Sequence, residues 1–377
     1  IYTRGEAQVY EWIEEEDPHL FSQIKDEIQQ GRWHAVNGMI IQPDMNLPSG
    51  EAFVRQFLLG KRYMREHLGI DPQVAYCVDS FGHAATLPQI MQKCGFKAYT
   101  FTRPQPHEKA LPDDIFWWQA PDGSKVLCFR ISEGYNSTGI TDHRSRIERA
   151  IEIASPYTDH TMCFFGVGNH GGGPTKVQIE DILSIAKERN DVDIIFSSPQ
   201  QFFDAVQPDS DRFPTIIDEL QMHAVGCYSA QSSLKRLNRK AENSLLLAER
   251  MSVLAQILTG YHPHVTDLRD LWHTLCFLQF HDILAGSSIK EASDEAEQSY
   301  GHILHSAGEV INQAGRSIAT RIDTSGKGSA LILFNPFPHP LSQPVEYEPW
   351  TNWETWEKFG WNLVDNNGTP VPCQVIE

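Results

Sequence analysis

The first 205 residues alternate between two hydrophobic patterns. Stretches with apolar residues at helical spacing predict helices at 49–68, 86–94, 176–188 and 199–206. Short apolar runs predict buried strands at 74–78, 98–102, 161–167 and 193–197, and a hairpin formed by 115–119 and 125–131 around a Pro-Asp-Gly turn. Strands that alternate with helices predict an α/β fold with a largely parallel sheet flanked by helices.

The pattern changes twice in the second half of the chain. From residue 231, helical spacing predicts helices near 231–255, at 267–284 and at 290–322, which would form a three-helix bundle. After Gly326, alternating apolar and polar residues and several prolines predict the start of a β-rich domain. We therefore expect an α/β catalytic domain at 1–205, a helical bundle domain at 206–325 and the first part of a β-sandwich at 326–377. Because the chain starts at Ile1 within a helix-like stretch, we expect residues to be missing in front of it. Because about fifty residues cannot build a whole sandwich, we expect the last domain to be cut short as well.

Charge and cysteine content narrow the class of protein. The 31 basic and 49 acidic residues give a formal net charge of −18, which argues against nucleic acid or an anionic membrane as partner. The seven cysteines are scattered and form no C-x-x-C pair, so they predict neither a disulfide framework nor a structural zinc site. A reducing cytoplasm is the simplest compartment for such a chain.

Asp79 is the first candidate for chemistry. It ends the apolar run 74–78 and is followed by Ser80-Phe81-Gly82-His83, at the carboxyl end of a predicted parallel strand, where α/β proteins place their sites. Its carboxylate could cap the helix near Thr86, hold a metal or attack a substrate. Arg103 lies at the corresponding end of the next strand.

His281 and Asp282 are the second candidate pair. They stand near the end of the apolar helix predicted at 267–284, before the turn formed by Gly286 and two serines. Capping of a helix C-terminus explains a histidine there but leaves the acidic neighbour unexplained, whereas a nearby metal ion explains both.

A glycine-rich loop at 165–175 contains His170. The loop lacks the G-K-[ST] ending of a phosphate-binding loop and does not match the dinucleotide fingerprint. His170 is therefore an acid/base, a substrate contact or a solvated loop residue. The sequence at 42–51 most simply predicts a loop followed by a helix that is capped by Ser49.

Together these stretches resemble glycoside hydrolase family 38, the retaining zinc-dependent α-mannosidases. The resemblance rests on CVDSFGHAATLPQIMQKCGFKAYTFTRP (77–104), FGVGNHGGGPTK (165–176), GCYSAQSSLKRLNRKAE (226–242) and QFHDILAGSS (279–288), which occur in the family's order. Within the family, the sequence resembles the bacterial cytoplasmic branch most. The resemblance implies a cytoplasmic glycosidase acting on α-mannosides or other small mannose-containing carbohydrates, with a homodimer as a possible assembly.

The resemblance also implies a role for each candidate. Asp79 matches the family's nucleophile and one of its zinc ligands, and His281 matches a second zinc ligand. Arg103 and Asp282 match residues that contact the reacting sugar. Two further zinc ligands are expected from a His-x-Asp motif, which is absent before Asp79. Where the family has its acid/base aspartate, this chain reads Gly168-Asn169-His170, so His170 becomes the predicted general acid.

Other functions stay open at this point. The same sequence also fits a mannosylglycerate hydrolase of the family. The missing His-x-Asp fits a carbohydrate-binding piece without catalysis, because two protein ligands rarely hold zinc tightly. A metal-dependent amide or ester hydrolase on a related scaffold is a third alternative, since a fold does not determine one function.

Overall fold

The computed structural model describes residues 1–137, 143–168, 172–262, 268–326, 328–348, 354–355, 358, 360, 362–374 and 376. Its contacts divide the chain into two units, Ile1–Ala330 and Leu331–Glu377. The strands of the first unit are β1 (Tyr2–Arg4), β2 (Trp33–Ala35), β3 (Val74–Cys77), β4 (Ala98–Phe101), β5 (Ile115–Gln119), β6 (Lys125–Arg130) and β7 (Thr215–Ile216).

The helices are also numbered in chain order. They are α1 (Ala7–Glu16), α2 (Pro18–Gln29), α3 (Gly50–Tyr63), α4 (Leu87–Lys93), α5 (His143–Glu152), α6 (Lys176–Glu188), α7 (Pro199–Val206), α8 (Ser232–Thr259), α9 (Leu268–Leu278), α10 (His281–Ala285) and α11 (Lys290–Ala319). A π-helical turn at Met64–Leu68 extends α3, and short 3-10 turns lie at Gln207–Arg212 and Val225–Tyr228.

The main sheet has the strand order β3-β4-β6-β5-β7. The β3–β4, β4–β6 and β5–β7 pairs are parallel, and the predicted hairpin β5–β6 is the antiparallel pair. The prediction of a largely parallel sheet flanked by helices is thus confirmed. Smaller strands β1 and β2 form a separate parallel pair.

Side chains from the sheet are buried on both faces. Alternate residues of one strand enter different clusters: Ala75 and Cys77 of β3 lie with α3 and α4 residues, whereas Val74 lies with Phe202 and Phe203 of α7. This two-sided burial explains why β3 and β4 are short continuous apolar runs rather than alternating ones. It also leaves the strand ends as the place where polar side chains can reach solvent.

Two predicted strands are wrong. Residues 161–167 and 193–197 are all described, and neither segment forms a strand with any other described residues. Met162 and Phe164 pack against the β3–β6 side of the core, and the rings of Phe165 and Phe196 lie 5.5 Å apart. Their apolar pattern therefore reports burial by side-chain packing, which does not require the backbone ladder that defines a strand.

The predicted three-helix bundle is formed by α8, α9 and α11. A large buried cluster fills the space between them, and its members include Leu245, Trp272, Leu275, Tyr300 and Ile303. The helix predicted at 267–284 is wrong in one respect. It breaks at Phe280, whose backbone is extended (φ −47°, ψ 136°), and restarts as the five-residue α10.

The second unit, described in part, shows an isolated bridge between Val364 and Pro370. The start of a β-sandwich there stays a prediction, as does the division of the chain at residues 205 and 325. Among the described residues, no helix combines the length and the apolar character needed to cross a membrane.

Candidate active site

Strands β3 and β4 bring two charged side chains together. The strands are parallel, and Cys77 of β3 lies opposite Phe101 of β4. Asp79 and Arg103 each lie two residues beyond this pair, at the same level of the sheet. Parallel strands that end side by side place the following residues at one edge of the sheet. Both residues were predicted at strand ends, and the structure brings them together at this edge.

Asp79 and Arg103 form an ion pair through Asp79 Oδ1 and Arg103 Nη1, and the same guanidinium nitrogen donates to the Asp79 carbonyl at 2.9 Å. Both side chains are about four-fifths buried. The guanidinium also lies 5.9 Å from the ring centre of Phe81. Asp79 therefore has a fixed position and keeps part of its carboxylate exposed at the sheet edge.

The electrostatic surroundings keep Asp79 ionised. Burial alone raises the pKa of a carboxyl group, but His281 and Arg103 together outweigh that effect and hold the pKa of Asp79 well below its usual range. A permanently ionised carboxylate suits a metal ligand or a nucleophile. It does not suit a general acid, which must carry a proton near neutral pH.

Asp79 does not cap the following helix. The helix α4 starts after Thr86, seven residues beyond Asp79, and has no side-chain cap. The capping interpretation of Asp79 therefore fails. By contrast, the predicted cap at Ser49 is confirmed, since its hydroxyl accepts a hydrogen bond from Ala52 N at 3.2 Å.

His281 reaches Asp79 from the helical part of the chain. Its Nε2 lies 3.6 Å from Asp79 Oδ2, the carboxylate oxygen opposite the one that pairs with Arg103. Because the helix breaks at Phe280, His281 starts α10 and does not lie at the C-terminal end of α9. The C-terminal capping explanation of His281 is therefore wrong.

The break also changes the argument about Asp282. This residue lies in the first turn of α10, where an acidic side chain is favoured rather than disfavoured. Its carboxylate accepts a hydrogen bond from Ser287 Oγ at 2.7 Å, and it remains partly exposed. The position of Asp282 in a helix thus gives no reason to expect a metal ion. Its partial exposure beside His281 is compatible with contact to a ligand.

A backbone carbonyl sets the orientation of the His281 ring. Nδ1 donates to the carbonyl of Gln42 at 2.8 Å, which leaves the lone pair of the neutral ring on Nε2. Nε2 is buried and, within the part of the chain that the structure describes, has no hydrogen-bond partner. A histidine whose Nδ1 donates to a carbonyl and whose Nε2 faces a carboxylate without a hydrogen bond has the usual arrangement of a metal ligand.

The residues fit a zinc ion in part. A carboxylate and an imidazole that face each other at 3.6 Å are both zinc donors, and the unpartnered Nε2 is the atom that would coordinate. In the described ranges, no cluster of three or more His, Cys, Asp or Glu side chains is suited to hold a metal. Asp79 and His281 would therefore supply two ligands to such an ion.

Gln42 and Ser80 hold the two sides of this cluster together. Gln42 Oε1 accepts from Val78 N at 3.0 Å, at the end of β3, while its backbone carbonyl holds His281. Ser80 Oγ donates to the Pro43 carbonyl at 2.6 Å. Sequence reasoning missed Gln42, because its contacts join segments far apart in the chain.

His83 lies behind the cluster and not in it. It is completely buried, with Nε2 donating to the Arg103 carbonyl at 2.8 Å and Nδ1 accepting from the Tyr99 hydroxyl at 2.8 Å. Burial is the main reason that the pKa of His83 falls to about 3. A neutral His83 thus fixes the backbone that presents Arg103.

Tyr135 is a site residue that the sequence analysis did not select. It follows β6, the next parallel strand after β4. Burial and the neighbouring Asp79 carboxylate, to which its hydroxyl donates, raise the pKa of Tyr135 to about 12. Applying the strand-end rule to β6 as well as to β3 and β4 would have found it.

His170 lies outside the described residues, so its predicted role as general acid stays a prediction. On the near side of the glycine-rich loop, Gly166 N donates to Ser137 Oγ at 2.9 Å, and Gln178 Nε2 donates to the same hydroxyl at 3.0 Å. These bonds fix the start of the loop against α6.

Comparison with known families identifies the class of protein. The model described as "Glycosyl hydrolases family 38 N-terminal domain" matches residues 1–219, and the model "Alpha mannosidase middle domain" matches residues 222–318. The chain belongs to glycosyl hydrolase family 38. The predicted resemblance is thus confirmed at the level of the family, while the bacterial branch stays a prediction.

Individual relatives are named as α-mannosidases. Alpha-mannosidase 2C1 of Homo sapiens is 30% identical over 328 residues, which are 84% of this chain and 31% of that protein. Alpha-mannosidase G of Dictyostelium discoideum is 30% identical over 323 residues, 83% of this chain and 29% of that protein. The chain thus spans about a third of the length of these relatives.

A solved structure shares the fold. The α-mannosidase from Enterococcus faecalis V583 matches with a TM-score of 0.73 and 23% sequence identity, over 85% of this chain and 38% of that one. At this identity the likeness concerns the fold alone.

Proposed function

We propose that this chain carries the nucleophile side of a zinc-dependent retaining α-mannosidase site. The observation that supports this function best is the convergence of Asp79, Arg103 and His281 in a member of family 38. Asp79 would be nucleophile and metal ligand, and His281 a second metal ligand. Arg103 and Asp282 would contact the sugar.

The surroundings of Asp79 suit nucleophilic attack. Its carboxylate would attack the anomeric carbon, the glycosidic C–O bond would break, and the leaving oxygen would take a proton from a general acid. Water would then hydrolyse the covalent glycosyl-enzyme intermediate. Retention by this route needs the two groups to lie about 5–5.5 Å apart. We assign the acid to His170 on the sequence alone.

A zinc ion bound by Asp79 and His281 would polarise sugar hydroxyls and stabilise negative charge at the site. The chain's own contribution is orientation: Gln42 holds the His281 ring, and Arg103 holds one oxygen of Asp79 while the other faces His281. Because the described ranges supply two ligands, we expect this 377-residue chain to bind zinc weakly and to turn over α-mannosides slowly.

Two measurements test the proposal. An α-mannosyl fluoride carrying a further ring fluorine should leave a glycosyl adduct, and peptide mass spectrometry should locate that adduct on Asp79. Zinc titration of the wild-type chain, Asp79→Ala and His281→Ala should show binding that both variants lose. An adduct on another residue would reject Asp79 as the nucleophile. Zinc binding unchanged in both variants would reject the ligand assignment.

A second candidate substrate comes from another relative. A Halalkalibacterium halodurans protein, provisionally named a mannosylglycerate hydrolase, is 23% identical over 334 residues, 81% of this chain and 36% of that protein. Parallel assays with α-linked mannobiose and mannosylglycerate decide between the two substrates by their kcat/KM. Binding of both sugars without release of mannose would instead support a carbohydrate-binding role. The cytoplasmic location and the homodimer stay predictions.

A further inference from the structure

Helix α10 is too short to hold itself in place. An isolated helix needs roughly 12 residues or more to be even marginally stable in water, and α10 has five. It nevertheless carries His281 and Asp282, two of the predicted site residues. Its position must therefore come from bonds to other elements.

One end of α10 is attached to α8 through Gln279. This residue lies in the break before α10 and is fully buried. Its Nε2 donates to Glu242 Oε1 at 3.1 Å and to Asn238 Oδ1 at 3.0 Å, and both acceptors belong to α8. Its backbone carbonyl accepts from Asp44 N at 2.9 Å. The break thus has a defined place relative to the loop that holds His281.

The Glu242 carboxylate connects three segments. Besides Gln279, it accepts hydrogen bonds from Ser49 N at the start of α3, at 2.9 Å, and from Asn238 and Arg239 on its own helix. Glu242 is 1% exposed. A buried carboxylate costs free energy that an apolar residue of similar volume would avoid, so its value lies in the geometry it specifies.

The other end of α10 is attached to α8 through Lys235. Its ammonium group donates to the carbonyls of Leu284 at 2.8 Å and Ala285 at 3.2 Å, the last two residues of α10. Lys235 and Glu242 are two turns apart on α8. One helix therefore contacts both ends of the short segment.

We infer that Glu242, acting through Gln279, is a positioning residue that aligns α10 so that His281 faces Asp79, with Lys235 fixing the opposite end. The inference rests on the proposed roles of His281 and Asp282 in the site. It assigns to the helical part a function beyond packing. The helical part both supplies His281, a proposed zinc ligand, and orients it towards Asp79.

Glu249 provides a matched control on the same helix. It lies two turns after Glu242 and also joins α8 to α3 and α9, through two bonds from Arg55 at 2.8 and 2.9 Å and one from Trp272 Nε1 at 2.9 Å. None of these bonds reaches Gln279 or α10. Loss of either carboxylate should destabilise the bundle, but loss of Glu242 alone should release α10.

The test compares Glu242→Met with Glu249→Met in the full chain by amide hydrogen exchange, because methionine has a similar size and no oxygen to accept a hydrogen bond. In Glu242→Met, the amides of His281, Ile283 and Leu284 should exchange about tenfold faster after correction for global stability, the effect of losing the hydrogen bond from Gln279. In Glu249→Met they should exchange at the wild-type rate. Equal acceleration in both variants, or none in Glu242→Met, would overturn the inference.

A ring signal gives a readout that general destabilisation does not change. The Nδ1–H of His281, bonded to the Gln42 carbonyl, should give a protected NMR resonance that is assigned by its absence in His281→Gln. The resonance should broaden or shift in Glu242→Met and remain in Glu249→Met. An unchanged resonance in Glu242→Met would contradict the inference.

Lys235→Met keeps the inference testable if Glu242→Met does not fold. This variant removes the two bonds to the end of α10 from a partly exposed site, so the exchange at 283–285 should accelerate there as well. Wild-type exchange at 283–285 in Lys235→Met would contradict the second half of the inference.

None of these measurements needs substrate or metal. A chain without mannosidase activity or zinc binding would therefore refute the proposed function while the exchange data still decide the role of Glu242.

Discussion

Two regions supply the candidate site, and they do so by different means. At the strand edge, Asp79 and Arg103 follow two parallel strands in register, within 25 residues of sequence. At the helix break, His281 comes from a five-residue helix about 200 residues later, held by side chains of α8. Local pattern determines the first arrangement, whereas long-range hydrogen bonds determine the second. The two regions should therefore respond differently to substitution.

The largest effect is expected at the strand edge, from Asp79→Asn. The amide keeps the size of the side chain but cannot act as the nucleophile, so kcat on an aryl α-mannoside should fall by about 10⁴-fold. Asp113→Asn, in the loop before β5, serves as the control and should keep wild-type kcat. A kcat for Asp79→Asn within tenfold of wild type would contradict the nucleophile assignment.

The pH dependence of stability tests the support behind the strand edge. The pKa of His83 is about 3 in the folded chain and near 6.5 when unfolded, so between these values the unfolded state binds the extra proton. Stability should thus fall as the pH decreases from 6.5 towards 3, by about 2 kcal/mol at pH 5 from this residue alone. Above pH 7, protonation of His83 should no longer change the stability.

His83→Gln isolates this contribution, because glutamine does not titrate. Urea unfolding of wild type and variant at pH 5 and pH 7.5 should show a smaller loss of stability on acidification in the variant. The same loss in both proteins would show that His83 is not held neutral by the fold. All other titratable groups are shared by the two chains, so their contributions cancel in the difference.

At the helix break, Gly286→Ala should have a moderate effect. Gly286 ends α10 with φ +78°, and an added Cβ would lie 2.8 Å from the Cβ and Cγ atoms of Gln231. Both the backbone strain and the clash oppose the substitution, so the free energy of unfolding should decrease by about 1–3 kcal/mol. Thermal unfolding measures the change. A Tm equal to that of the wild type would show that α10 moves freely against α8.

The smallest effect is expected from the companion substitution Gly301→Ala. Gly301 lies within α11, and an added Cβ would meet no atom within 4 Å. The substitution should therefore stabilise the chain by up to about 1 kcal/mol, through helix propensity. Opposite signs for the two glycine variants would confirm that the cost at Gly286 arises from its place at the break. A loss of stability in Gly301→Ala would argue against this explanation.

The amino-acid sequence by itself determined the elements whose physical cause is local. The apolar runs that became β3 and β4, the hairpin β5–β6 and the cap at Ser49 depend on neighbouring residues, and the strand-end rule then selects Asp79 and Arg103. Two apolar runs, at 161–167 and 193–197, were indistinguishable from strands by pattern, because a ladder needs a partner that the pattern does not name.

Only the tertiary structure decided the rest of the site. The break at Phe280, the hydrogen bond from His281 to Gln42 and the Glu242–Gln279 contact join residues up to about 240 positions apart, and no local preference specifies them. The sequence named His281 and Asp282 but assigned them to the wrong end of a helix. A buried polar group takes the partner that the complete fold brings within reach, so its role becomes visible only when the chain is packed.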